Sequence, residues 1–191
     1  MSSQPETLLT EEQYLEIERA AEVRSEFYRG QMFAMAGASE AHNLIVRNLL
    51  MKATPQLLSQ GCNIYFLDMR VRISDSGSYF YPDAAMVCGK PEFLKGPPDT
   101  LLNPKVVVEV LSQSTERWDR GRKFQNYKTI PSLEQYLLIS SDNVFLDLYT
   151  RQPSGDWLLS SFDQLDQTVE LQSVGCRLPV AELYQGVDLT A

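Results

Sequence analysis

Apolar positions recur along this chain in two rhythms, one helical and one alternating, and the changes between them predict the elements. Thr10-Glu-Glu-Gln13 has the spacing of a capping box, Thr at the N-cap and Gln at the third helical position, and predicts a short helix to about Ala21. Ser25 to Tyr28 and Gln31 to Met35, split at Arg29-Gly30, predict a small hairpin. After Gly37-Ala38-Ser39, the residues His42, Ile45, Val46, Leu49, Ala53 and Leu57 fall near one face at helical spacing and predict a longer helix ended by Gly61. The rhythm then changes. Ile64, Phe66, Val71 and Ile73 alternate with polar neighbours up to a turn at Ser74 to Ser78, and Tyr79 to Cys88 runs back as a second strand.

Lys90 to Pro104 carries Pro91, Gly96, Pro97, Pro98 and Pro104 and predicts a loop without regular structure. Lys105 to Leu111, KVVVEVL, is strongly β-prone, and its near-continuous apolarity predicts a strand covered on both faces. Ser114 or Thr115 is placed to cap a helix running to Thr129, before Pro131. Tyr136 to Ser140 predicts another strand. Alternation in Val144 to Tyr149, Trp157 to Phe162 and Val169 to Leu171 predicts extra antiparallel strands, closed by a tail around Val180 to Tyr184. The expected fold class is α/β or α+β, a mixed sheet flanked by helices, in a single domain over residues 1–191.

Composition narrows the function classes. With 43% hydrophobic and 22% charged residues the chain is expected to fold rather than stay disordered. No apolar run approaches the ~20 residues a membrane helix needs, so a cytoplasmic protein without membrane contact is expected. Seventeen Lys plus Arg against 25 Asp plus Glu give a net charge of −8, which argues against a general nucleic-acid coat but leaves room for a local basic groove. Arg117 to Lys128 is such a stretch, with five basic residues and one acid, Asp119. Cys62, Cys88 and Cys176 are far apart and lack CxxC or His spacing, so they are expected to be buried thiols rather than a disulfide framework or zinc site.

Glu109 carries the chemical signal. It interrupts Val106, Val107, Val108, Val110 and Leu111, and strand alternation projects it from the same face as Val107 and Leu111. An unpaired charge on a covered sheet face costs several kcal/mol, so a cation or metal must answer it. Asp83, in Tyr81-Pro82-Asp83, is the expected companion on a neighbouring strand. Lys123 and Arg120 fall on the inner face of the following helix with Phe124, Tyr127 and Ile130, and would direct positive charge toward Glu109. Two carboxylates and a lysine suit phosphodiester hydrolysis, with the carboxylates on Mg²⁺ and the lysine orienting or deprotonating the attacking water. Each residue also has a plainer reading. Glu109 as a strand-end acid, Asp83 as a turn residue, His42 as a core histidine and Glu26 as a solvated hairpin acid need no catalysis. Lys123 could likewise pair with Asp119 one turn away, worth about 0.3 to 0.5 kcal/mol on a helix surface.

These residues resemble a known pattern. Tyr81-Pro82-Asp83, Val107-Val108-Glu109-Val110-Leu111 with Ser112-Gln113-Ser114-Thr115, and Asp119-Arg120-Gly121-Arg122-Lys123 with Tyr127 are similar to the Uma-two family of restriction-endonuclease-like proteins, within the PD-(D/E)XK nuclease superfamily. The resemblance extends over nearly the whole chain, including Glu26, Gly30, Met35 to Ser39, His42, Gly61-Cys62 and Pro131 to Tyr136. It implies Asp83 and Glu109 as metal ligands for Mg²⁺ or Mn²⁺, the Val110 carbonyl as a further ligand, Lys123 as the catalytic lysine, and Glu26 and His42 as candidate pocket residues; Arg120, a pocket candidate by its helical spacing, reads more readily as structural. DNA is the implied partner and a homo-oligomer, a dimer, the implied assembly. The superfamily places its lysine two residues after the acid, where this chain has Leu111; in the resembling family the lysine is thought to have moved to the helix, as Lys123 has. The alternative is a catalytically silent nuclease-fold module that binds or regulates. A third reading leaves Glu109 and Lys123 as a buried structural ion pair.

Overall fold

The computed structural model describes residues 8–189 except 36, 98 and 114. Ser114 as a helix cap, Ala36 of the motif before the long helix, and Pro98 of the proline-rich loop therefore lie outside the described residues. Helix α1 (Glu11–Ala20) forms behind the predicted capping box, with Gln13 N donating to Thr10 Oγ1 and Thr10 N to Gln13 Oε1. Strands β1 (Ser25–Tyr28) and β2 (Gln31–Ala34) make the hairpin, whose two-residue turn holds Arg29 and Gly30 at φ 51° and 81°, the positive values such a turn requires. Helix α2 (Glu40–Ser59) starts where Ser39 accepts from His42 N and buries Ile45, Leu49, Ala53 and Leu57, as its periodicity predicts.

Where two strands are expected next, four form, in two different sheets. β3 (Cys62–Phe66) and β4 (Arg70–Ile73) are separated by Leu67 at φ 58°, and β5 (Ser78–Phe80) and β6 (Ala84–Cys88) by Tyr81-Pro82-Asp83, where Pro82 has no N–H to continue a ladder. The proline-rich loop also contains a strand, β7 (Thr100–Leu101), short and parallel to β4. β8 (Val106–Leu111) is buried along its whole length. The helical run that follows is not one α-helix: α3 (Glu116–Trp118) gives way to a π-helical turn, Asp119–Lys123, before α4 (Phe124–Tyr127). Thr115 makes no capping bond; its hydroxyl accepts from Ser112 N instead.

Strands β9 (Gln135–Ser140), β10 (Leu146–Arg151) and β11 (Trp157–Phe162) complete a six-stranded sheet of order β11-β10-β9-β8-β6-β3. Its β8–β9 pair is parallel and its other pairs antiparallel. The second sheet runs β2-β1-β5-β4-β7, and a hairpin of β12 (Thr168–Leu171) and β13 (Cys176–Pro179) leads into α5 (Val180–Leu183). One face of the six-stranded sheet packs Val106, Val108 and Val110 against α2, the β12–β13 hairpin and α5. The other packs Val107, Leu111, Ala85 and Leu138 against Phe80, Phe124, Tyr127 and Ile130. The mixed α+β architecture is thus the expected one, but divided over more than one sheet.

The cysteine expectation is corrected. Cys62 and Cys88 are separated by 26 positions, yet the antiparallel β3–β6 register sets them directly opposite and they form a disulfide. Cys176 is a buried free thiol. Among the described residues no helix is long and apolar enough to cross a membrane.

Candidate active site

Strand β8 delivers Glu109 to the aromatic face of the sheet, 4% exposed. Lys123, 5% exposed, arrives from the π-helical turn and sets its Nζ 2.9 Å from Glu109 Oε1. The same ammonium lies 2.8 Å from Glu26 Oε1 on β1 and 3.5 Å from Asp119 Oδ1. The Tyr127 hydroxyl donates to Glu109 Oε1 at 3.1 Å, the Phe80 ring centroid is 5.7 Å from Nζ, and Tyr81 N donates to Glu26 Oε1 at 3.1 Å. Three carboxylates therefore converge on one ammonium in a space with almost no water contact.

Asp83 stands beside this group. Extending the β6–β8 register of Ala84 opposite Val108 by one position places it opposite Glu109. Its Oδ2 accepts from Val110 N at 2.7 Å and its Oδ1 lies 3.0 Å from His42 Nε2. His42 Nδ1 is buried without a partner among the described residues. The His42–Asp83 pair is the less buried edge of the site, with side chains 18% and 22% exposed.

The electrostatics follow from this crowding. Burial pushes the Glu109 carboxyl well above the ordinary range; Lys123 opposes this, while Asp119, Asp83 and Glu26 add to it. Burial alone would lower Lys123, but Glu109, Glu26 and Asp119 around it outweigh that and hold the ammonium well above the usual lysine value. Burial raises Asp119 as well, against the pull of Lys123. One cation for three acids does not undo this, and Glu109 and Asp119 hold their protons to higher pH than usual.

Glu109, Lys123 and Glu26 are brought together, with Asp83 and His42 adjoining them. Arg120 is not brought in. Its Nε bonds Glu116 Oε1 at 2.7 Å, its Nη1 meets Asp147, and its guanidinium lies 5.7 Å from the Phe145 ring. The wider π turn advances each residue by less than the ~100° of an α-helix, so Arg120 and Lys123 do not share a face. Asp119 and Tyr127 are members that the sequence reading left to an ordinary ion pair and to packing; the signal was their spacing of four from Lys123 on either side. Asp83 and Glu109 offer the hard oxygen donors that divalent cations take. Among the described residues no group of three or more His, Cys, Asp and Glu forms a ready metal cage.

Glu109 on the central strand β8, Asp83 just ahead of the adjoining β6, and a cation delivered to them from the π-helical turn are arranged on a mixed sheet of the nuclease type. The chain belongs to the Uma2 family, described as "Putative restriction endonuclease", whose model matches residues 11–181. It is 35% identical over 185 residues to the uncharacterized protein slr1290 of Synechocystis sp. (strain ATCC 27184 / PCC 6803 / Kazusa), covering 97% of this chain and 96% of that one. It is 36% identical over 153 residues to sll1609 of the same organism, likewise uncharacterized, covering 80% and 86%. Among solved structures it is similar in fold to a "putative nuclease belonging to DUF820" from Anabaena variabilis ATCC 29413, with TM-score 0.76, 16% identity, and coverage of 93% of this chain and 98% of that one.

Proposed function

We propose that the chain is a metal-dependent endonuclease hydrolysing phosphodiester bonds of DNA, in which Asp83 and Glu109, with the Val110 carbonyl, hold Mg²⁺ or Mn²⁺. The donor set fits such an ion. Mg²⁺ is commonly held by one or two carboxylates and keeps several waters, and a divalent cation would offset the crowding of acids that makes Glu109 hard to ionise. Bound there, the ion would polarise a phosphoryl oxygen and make a bound water more acidic.

The remaining work falls to the chain's own residues. Lys123 stays an ammonium through neutral pH, so it suits stabilising charge on phosphate oxygens and orienting the attacking water, rather than removing a proton from it. Tyr127 and Lys123 fix Glu109 Oε1, and Val110 N with His42 fixes Asp83. Of the basic stretch, Lys123 and Arg120 are engaged internally; Arg117 and Arg122 are exposed and Lys128 partly so, leaving three cations on this helical run for phosphate contacts.

The observation that carries the reading is the convergence of Glu26, Glu109 and Asp119 on one buried ammonium beside Asp83. Incubation with supercoiled, linear and branched DNA in Mn²⁺ tests it: wild type should cut, and Asp83→Asn and Glu109→Ala should not. Equal cutting by all three proteins would remove the proposal. A second reading, a nuclease fold that binds without cutting, is favoured by Leu111 at the superfamily's lysine position and by the ammonium already answering Glu109. Calorimetric Mn²⁺ binding with no cleavage of any DNA would select it.

A further inference from the structure

Tyr81 joins the acid cluster to a second polar group: its backbone N–H donates to Glu26, and its hydroxyl donates to Glu18 Oε1 at 2.8 Å. At the centre of that second group is Arg70, the first residue of β4 and only 2% exposed. Its Nη2 meets Asp99 Oδ2, but its Nε and Nη1 are buried without a partner among the described residues. The nearby acids already hold other donors. Asp99 is also gripped by Arg19, with Nε–Oδ2 at 2.9 Å and Nη2–Oδ1 at 3.2 Å, and Glu18 accepts from Ser25 N at 3.1 Å as well as from Tyr81. The Tyr14 and Tyr81 rings lie 6.0 and 5.9 Å from the Arg70 guanidinium carbon and cover it.

These side chains line a cavity of about 130 Å³, with Arg24 at its edge held only by long contacts, 3.5 Å to the Glu18 carbonyl and 3.4 Å to the exposed Asp68. A liquid water occupies ~30 Å³, so the space suits about four waters or one tetrahedral oxyanion. Buried guanidinium donors left unanswered are rare and costly, and charged oxygen acceptors are their natural partners.

We propose that this pocket binds a compact oxyanion of the phosphate type, held by the free donors of Arg70 with Arg24 closing over it. The site needs no divalent ion and is separate from the acid cluster, so it stands or falls apart from the nuclease reading.

Inorganic phosphate, titrated calorimetrically into the full chain without divalent ions and at ionic strength matched with chloride, should bind saturably and raise the melting temperature. Arg70→Met should weaken binding by about tenfold or more, since it removes charge-assisted hydrogen bonds. Arg24→Ala, at a partly exposed position, should weaken it by about threefold to tenfold and keeps the test decisive should Arg70→Met fail to fold. A nucleoside 5′-monophosphate and a dinucleotide as competitors separate a terminal phosphate from an internal phosphodiester as the source, and displacement by either supports the pocket. Absence of saturable phosphate binding in wild type, which would mean a water-filled cavity, overturns the proposal, as does unchanged affinity in Arg24→Ala.

Discussion

Val106, Val108 and Val110 of β8 look onto α2 and the β12–β13 hairpin, a largely aliphatic layer, whereas Val107, Glu109 and Leu111 look onto rings and a knot of ions. On the first side the notable buried polar helix residue, Asn48, is fully used in tying α2 to the end of α5, its Nδ2 donating to the Leu183 and Gln185 carbonyls. On the second, three acids share one ammonium. Apart from His42 at the start of α2, one strand thus separates a side that holds the molecule together from a side where stability and chemistry use the same atoms. Damage to the first should be purely structural; damage to the second should have two signatures.

The largest expected effect is at Lys123. Lys123→Met strands buried carboxylates and should cost about 3 to 5 kcal/mol in denaturant unfolding. Adding Glu109→Gln to it should recover much of that stability while DNA cleavage stays lost; recovered cleavage would reduce the cluster to a structural ion pair. Leu49→Ala, on the aliphatic side, should cost about 2 to 5 kcal/mol with Mn²⁺ binding heats unchanged per folded molecule. A changed heat would erase the distinction between the sides.

Tyr127→Phe removes one hydrogen bond to Glu109 and should cost about 1 kcal/mol, with cleavage reduced more than that loss alone explains. The smallest effect concerns Cys176 on the aliphatic side, whose thiol burial pushes up from 9.0 to about 11. Folded, it keeps a proton that the unfolded chain releases, so its contribution falls as pH rises from about 9 to about 11. Cys176→Ala should flatten the stability profile relative to wild type in that window and nowhere else.

The difference between the two sides also governs what the sequence could reveal. Glu109 was legible because an acid among valines violates the strand's own pattern, and Lys123 because it falls among aromatic residues at helical spacing. Asp119 was not, because an acid four residues before a lysine has the spacing of a routine surface pair, and only burial distinguishes the two. Elements with local signals, the Thr10 capping box and the Arg29-Gly30 turn, are in the expected places. Long-range features were hidden: the strand switches at Leu67 and Pro82, the two-residue β7, and the Cys62–Cys88 pairing all depend on register set by distant neighbours. Arg120 was placed on the inner face by a uniform α-helical phase that the π turn interrupts, and its pairing with Glu116 and Asp147 is the structural role its plainer reading gave it.

That turn has a genetic implication. A π turn is an α-helix carrying one surplus residue, so Asp119 to Lys123 bears the mark of a single-codon insertion that the fold has absorbed. Deleting Gly121, where an added Cβ would meet nothing, should let the backbone relax to an uninterrupted α-helix. The two ends would keep their present facing, because the π turn takes up the extra residue within itself. Trp118 would stay against Tyr28 and Phe80, and Lys123 and Tyr127 would stay on Glu109.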